Sequence, residues 1–192
     1  TSVKHGRTDL TSTYTYNVRS WPKSITGTRF NETLYHNESL GGSAKCYNGN
    51  VSAMTWSSGT ETVVRGYKFK YDPLSRLTEA MYGENTSLSA GVNRFTEKIT
   101  RYDKHGNIKK LERYGKTSTT AYGLIDNLTL EHRGNQLKYV NDAATDPIYQ
   151  AAFNFVNRSN STGNEYIYDA NGNLVQDFNK KLALVRYNAV NL

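Results

Sequence analysis

Tyrosine followed by Asp or Asn, with Gly, Ser or Asn closing the next three positions, recurs five times in this chain. The copies are Tyr16-Asn17-Val18-Arg19-Ser20, Tyr71-Asp72-Pro73-Leu74-Ser75, Tyr102-Asp103-Lys104-His105-Gly106, Tyr168-Asp169-Ala170-Asn171-Gly172 and Tyr187-Asn188-Ala189-Val190-Asn191. Each position has a physical reason. Asp or Asn opening a turn hydrogen-bonds the backbone two residues on, Pro73 suits the next position, and Gly suits the closing one. The pattern predicts a type I turn followed by a left-handed residue, a hairpin loop with a G1 bulge. Gly106 and Gly172 adopt positive φ freely and Asn191 tolerates it, whereas Ser20 and Ser75 carry slight strain there.

A shorter form accompanies it. Tyr47-Asn48-Gly49-Asn50-Val51 contains Asn-Gly, the signal for a two-residue type I′ hairpin, and His132-Arg133-Gly134-Asn135 aligns on it with His132 in the tyrosine place. Units then begin near residues 16, 47, 71, 102, 132, 168 and 187. The flanks alternate as strands do: Tyr67, Phe69 and Tyr71 share one face and Lys68 and Lys70 the other, while Tyr14 and Tyr16 alternate with Thr13 and Thr15. Return strands resume at Leu77, at Asn107-Ile108 and at Asn173-Leu174-Val175. Residues 83–91 and 115–120 are small and polar and are expected to be loops. Residues 141–155 interrupt the repeat as either a helical turn or an extended excursion. Isolated hairpins are marginal, so stability is expected from stacking neighbours.

Composition supports the β assignment: 15 tyrosines stand against 6 phenylalanines and 2 tryptophans, and Tyr and Thr favour strands. No apolar run is long enough to cross a membrane as a helix. The net charge of +7 is scattered (Lys68 and Lys70, Lys109 and Lys110) without an arginine cluster, which argues against nucleic acid. Cys46 is the one cysteine, so no internal disulfide can form.

Tyr-Asp-x-x-Gly-Asn-[Ile/Leu], as in Tyr102 to Ile108 and Tyr168 to Leu174, resembles the YD repeat of the RHS family. Tyr-Asp-x-x-x-Arg-Leu, at Tyr71 to Leu77, is the other common spelling, and residues 186–192 look like the repeat preceding the regular C-terminal part of Bacteroidetes members. The resemblance covers essentially the whole chain. It implies an array of antiparallel β-hairpins, a curved open sheet forming a segment of a hollow shell. In polymorphic toxins such a shell encloses a C-terminal toxin; in teneurins it serves adhesion. This chain departs from the pattern with Ser20, Ser75 and Asn191 in the glycine place, His132 for tyrosine, and long loops. A complete shell needs many more units.

The expectation is therefore an all-β, single segment over 1–192, truncated at both ends because the last motif lacks its return strand. No charged-then-apolar leader opens it, so an export signal is expected upstream of Thr1 and the parent at the cell surface or secreted. The expected role is non-catalytic, without cofactor, metal, nucleic acid or membrane span, the partner being the rest of its own polypeptide, including a C-terminal toxin. The alternative is a module that binds cell-surface carbohydrate or protein through exposed aromatics such as the tyrosines, Trp21 or Trp56. Asp72, Asp103 and Asp169 could be taken for catalytic carboxylates, but the turn bond explains all three. His5, His36, His105 and His132 lack metal-ligand spacing. Cys46, expected on a strand beside Tyr47, has no motif-marked histidine to activate it. Seven Asn-x-Ser/Thr triplets, such as Asn31-Glu32-Thr33 and Asn127-Leu128-Thr129, arise from composition. The motif residues expected to matter are thus Tyr16, Asn17, Tyr47, Asn48, Gly49, Tyr71, Asp72, Tyr102, Asp103, Gly106, Tyr168, Asp169, Gly172, Tyr187 and Asn188, all in structural roles.

Overall fold

The computed structural model describes residues 2–4, 11–59, 61–150, 154–159 and 163–188. Among them there is no helix. The strands are β1 (Ser2–Lys4), β2 (Thr11–Tyr16), β3 (Pro22–Gly27), β4 (Phe30–Tyr35), β5 (Ala53–Ser58), β6 (Arg65–Tyr71), β7 (Leu77–Glu84), β8 (Glu97–Tyr102), β9 (Ile108–Lys116), β10 (Tyr122–Arg133), β11 (Gln136–Asp142), β12 (Tyr166–Tyr168) and β13 (Leu174–Asp177). β1 to β11 hydrogen-bond in chain order as an open antiparallel sheet, and β12 pairs with β13. The chain divides into two compact units, residues 1–98 and 99–192, with the boundary inside β8.

In the first unit the period-2 alternation sets the two faces. Tyr67 stands opposite Met54 and Tyr82, and Lys68 opposite Ala53 and Met81. On the aromatic face Trp56 stacks on Tyr67 at 5.6 Å, Tyr67 meets Tyr82 edge-on at 5.6 Å, and Tyr82 meets Phe95 at 5.1 Å. The opposite face is not simply solvated. Gly66 and Gly83 face each other across β6 and β7, and the β7–β8 connection folds back so that fully buried Leu88 fills the notch they leave. That connection is shaped by Asn85, whose Oδ1 accepts the Ser87 and Ser89 amides, and by Thr96, whose Oγ1 accepts the Tyr82 amide at 3.0 Å. Of the predicted loop over 83–91, Gly83 and Glu84 belong to β7, and the connection beyond them is packed on the sheet through Leu88.

The second unit centres on Ile125, Leu128 and Val140. β10 carries a bulge between Leu124 and Asp126, which places an extra residue on one strand and re-aims its neighbours. Ile125 turns toward Gly115, where a Cβ would lie 2.5 Å from its Cδ1, and Asp126 comes opposite Arg113. Gly115 and Lys116 belong to β9 rather than to the predicted loop. Within 141–155, Asn141 and Asp142 end β11, and the described residues beyond them are irregular, without a helical turn. Asp146 Oδ2 accepts the Leu124 amide at 2.8 Å, the Tyr149 amide reaches the Lys116 carbonyl at 3.2 Å, and the Phe155 amide reaches Asp126.

Candidate functional site

Antiparallel order sends every second connection to the same end of the strands. In the first unit that end carries the 17–20 turn, the 36–52 connection and the 72–75 turn; in the second it carries the 103–106, 134–135 and 169–172 turns. The motif residues gather there.

Four turns share one hydrogen-bond pattern. The amides of Ser20, Ser75, Gly106 and Gly172 bond the carbonyls of Asn17, Asp72, Asp103 and Asp169 at 3.0, 2.9, 3.2 and 3.1 Å. The closing residues have φ of 60°, 61°, 88° and 86°. One side-chain oxygen of each Asn or Asp accepts two further amides, for example those of Asn171 and Asn173 at Asp169. The second carboxylate oxygen is held by the residue after the closing position, Arg76 Nε at 2.6 Å, Asn107 Nδ2 at 2.9 Å and Asn173 Nδ2 at 3.0 Å. Asn107 and Asn173 thus belong to the turn, not to the return strand. Substituting Gly106 by Val should destabilise by about 1–2 kcal/mol from backbone strain alone, since no atom lies within 4 Å of a Cβ there. Ser20→Gly and Ser75→Gly should instead stabilise by up to about 1 kcal/mol. Urea titrations of the three variants check both signs.

These bonds hold the carboxyls below the usual carboxylate range, the backbone amide of Arg76 contributing most at Asp72 and the side-chain amides of Asn107 and Asn173 most at Asp103 and Asp169. A depressed carboxyl stabilises the fold fully above its unfolded value of about 3.9, and the contribution is lost as pH falls through the folded value. Melting temperature should therefore fall between about pH 5 and pH 2, and the Asp103→Asn/Asp169→Asn double variant should flatten that slope. An unchanged slope would remove the turns as its source.

The motif tyrosine has a second role that the alternation pattern does not announce. The Tyr71 hydroxyl donates to the Val51 carbonyl at 2.9 Å, Tyr168 to Leu137 at 3.1 Å, and Tyr187 to Leu174 at 2.9 Å. In each case the acceptor lies just past the preceding turn. Burial pushes the Tyr71 and Tyr168 hydroxyls above their ordinary range. Turns also touch directly, as Asn48 Nδ2 to Ser75 Oγ at 2.9 Å and Asn107 Nδ2 to the Gly134 carbonyl at 3.2 Å.

Three expectations need correction. Asn48-Gly49 is not a type I′ hairpin: Tyr35 already pairs with Ala53, so the strands close before the turn is reached. The segment bends locally, Asn48 Oδ1 accepting the Asn50 amide and Gly49 (φ 99°) lying against Trp21. Cys46 is accordingly in a loop and half-buried, with burial raising its thiol. The 132–135 hairpin exists one residue further on: Arg133 pairs with Gln136, and of the two loop residues only Gly134 (61°) has positive φ, as type II′ requires.

The remaining candidates are dispersed. Asp72, Asp103 and Asp169 sit in separate turns. His36 is 6% exposed, its Nδ1 3.2 Å from the Asn50 carbonyl and its Nε2 3.1 Å from that of Pro22; a neutral ring can donate to one, a protonated ring to both. His105 is exposed in its turn, and Nδ1 of His132 is buried without a hydrogen-bond partner. His5 and Ala189–Leu192, with the closing Asn191, lie outside the described residues. Among the described residues no three His, Cys, Asp or Glu side chains form a metal-binding group. Trp56 is packed in the aromatic cluster, whereas Trp21 lies against His36 at 5.1 Å and lines an open groove with Tyr16, Arg19 and Tyr47. No family model and no curated protein matches the chain.

Proposed function

We propose that this chain is a non-catalytic scaffold, a run of YD-type hairpin repeats within a larger secreted or cell-surface protein of the RHS type, whose wall encloses a C-terminal effector. The observation that carries the reading is the tyrosine hydroxyl passed back to the preceding hairpin at Tyr71, Tyr168 and Tyr187. A residue at a fixed motif position that bonds its neighbour's backbone gives the units at Tyr71, Tyr168 and Tyr187 a reason to require the one before them. That nearest-neighbour dependence is the physics of a repeat array. The turn asparagines Asn48 and Asn107 add to it at the same end. The mechanism is geometric: hairpins stack into a wall, and any chemistry belongs to what the wall surrounds.

Reading the parent coding sequence on either side tests this. Further Tyr-Asp-x-x-Gly units, an export signal and a non-repeating terminal segment are expected. A parent lacking additional units overturns the scaffold reading.

A further inference from the structure

The four shared turns fix their first and last residues and leave the middle free. Asp or Asn opens each turn and a left-handed residue closes it, while the two central side chains take no part in the turn's own hydrogen bonds. In the second unit those central positions hold Lys104-His105 and Ala170-Asn171; in the first they hold Val18-Arg19 and Pro73-Leu74. Val18 is 104% exposed and Leu74 73%. Neither contributes to a core, so folding offers no reason for an apolar residue at either tip.

A single exposed apolar side chain is ordinary, but these two belong to one row. The 17–20 turn, the 36–52 connection and the 72–75 turn lie at the same end of the first unit, and they touch in succession. Arg19 Nη1 donates to the Tyr47 carbonyl at 3.0 Å, and Asn48 Nδ2 donates to Ser75 Oγ at 2.9 Å. The connection itself presents Tyr47, 62% exposed. Carboxylates at this end are already matched, Asp72 by Arg76 at 2.6 Å and Glu38 by Lys23 at 3.2 Å. Arg19 and Lys45, both exposed, have no carboxylate partner among the described residues, so the row is positively charged.

We propose that this end of the first unit docks on an anionic lipid bilayer. Val18 and Leu74 enter the boundary between headgroups and acyl chains, Tyr47 lies at headgroup level, and Arg19 and Lys45 face the acidic headgroups. Shape selects this partner. Convex tips surrounded by solvent are buried only by a surface that deforms around them, whereas a flat protein face would meet their points alone. A second copy of the chain would bring two positive rows together. Cations beside apolar side chains suit the bilayer interface, where one is buried while the other stays with the headgroups, and an aromatic ring with a polar tip favours the same level. Docking of this kind is independent of what the wall encloses.

The test mixes the whole chain with phosphatidylcholine vesicles, with and without phosphatidylserine, and measures bound protein by sedimentation across a lipid titration. Saturable binding to the serine-lipid vesicles is expected, about tenfold or more tighter than to phosphatidylcholine alone and weakening as salt is raised. Lys45→Gln should weaken it about fivefold, the effect of one charge near the surface. Val18→Ser and Leu74→Ser should each weaken it about fivefold as well, with melting temperatures unchanged because both side chains are largely in solvent. Lys104→Gln, in a turn of the other unit, should leave binding unchanged. Equal binding to the two kinds of vesicle, or none to either, overturns the proposal. So does a Val18→Ser/Leu74→Ser double variant that binds as the parent does, or an equal loss in Lys104→Gln, since either would leave only diffuse charge attraction.

Discussion

Replacing Leu88 by alanine is expected to cost about 3–5 kcal/mol, the range for emptying a fully buried leucine site that cannot collapse. The notch is bounded by backbone and so cannot close. A Cβ at Gly83 would lie 2.5 Å from the Leu88 carbonyl oxygen and 2.8 Å from its Cβ, and one at Gly66 would lie 2.2 Å from the Met54 carbonyl oxygen. Gly83→Val should therefore be as damaging as Leu88→Ala, by overfilling the site that the other empties. Leu88 also has φ of 54°, a conformation costing a branched-chain residue roughly 1–2 kcal/mol. Leu88→Gly should then be more stable than Leu88→Ala by about 1 kcal/mol, reversing the usual order for the two residues. Urea unfolding followed by Trp56 fluorescence, on the opposite face of the same sheet, measures all three. A Leu88→Ala variant within about 0.5 kcal/mol of the parent would mean the connection does not pack on the sheet.

What the sequence made visible was what is local. The turns at Asp72, Asp103 and Asp169 could be read residue by residue because the side-chain acceptor, the amides it binds and the left-handed closing residue all fall within five positions. The same locality misled at Asn48-Gly49. The bend and the positive φ are there, but whether strands flank it depends on Tyr35 meeting Ala53 first, a long-range event that no dipeptide reports. Leu88 was hidden for a related reason: it is one apolar residue among Ser, Asn and Gly, with no periodicity to place it. The available signal lay elsewhere, in Gly66 and Gly83, since an isolated glycine inside a strand often marks close approach of another backbone. At the open groove lined by Tyr16, Arg19, Trp21 and Tyr47, the two tyrosines were legible as motif members and as exposed aromatics in general. Their convergence with Trp21 and Arg19 was not, because it follows from the fold of the 36–52 connection.

Asp126→Ala should destabilise the second unit by about 3 kcal/mol, for reasons that begin with the β10 bulge. Asp126 is 0% exposed, accepts the Arg113 Nε–H at 2.8 Å and the Phe155 amide at 2.6 Å, and so ties β9 and β10 to the backbone at Phe155. Truncation leaves the Phe155 amide and the partly buried guanidinium without their acceptor. Burial is nevertheless the largest influence on this carboxyl and holds it above the ordinary range, outweighing Arg113 and the amide bond. Its pH linkage is therefore opposite to that of the turn aspartates. A raised carboxyl favours the folded state increasingly as pH falls through the folded value toward the unfolded value of about 3.9, so Asp126→Ala, which lacks that gain, should lose more relative to the parent at pH 4 than at pH 7. A double-mutant cycle with Arg113→Ala separates the two roles. If the ion pair dominates, the double variant should be milder than the sum of the singles by about 1 kcal/mol or more. If the bond to the Phe155 amide dominates, the costs should add, and Asp126→Asn, which retains an acceptor for that amide, should recover most of the stability. Either result assigns the bulge its purpose, because without the extra residue at Ile125 the side chain of Asp126 would point to the other face of the sheet.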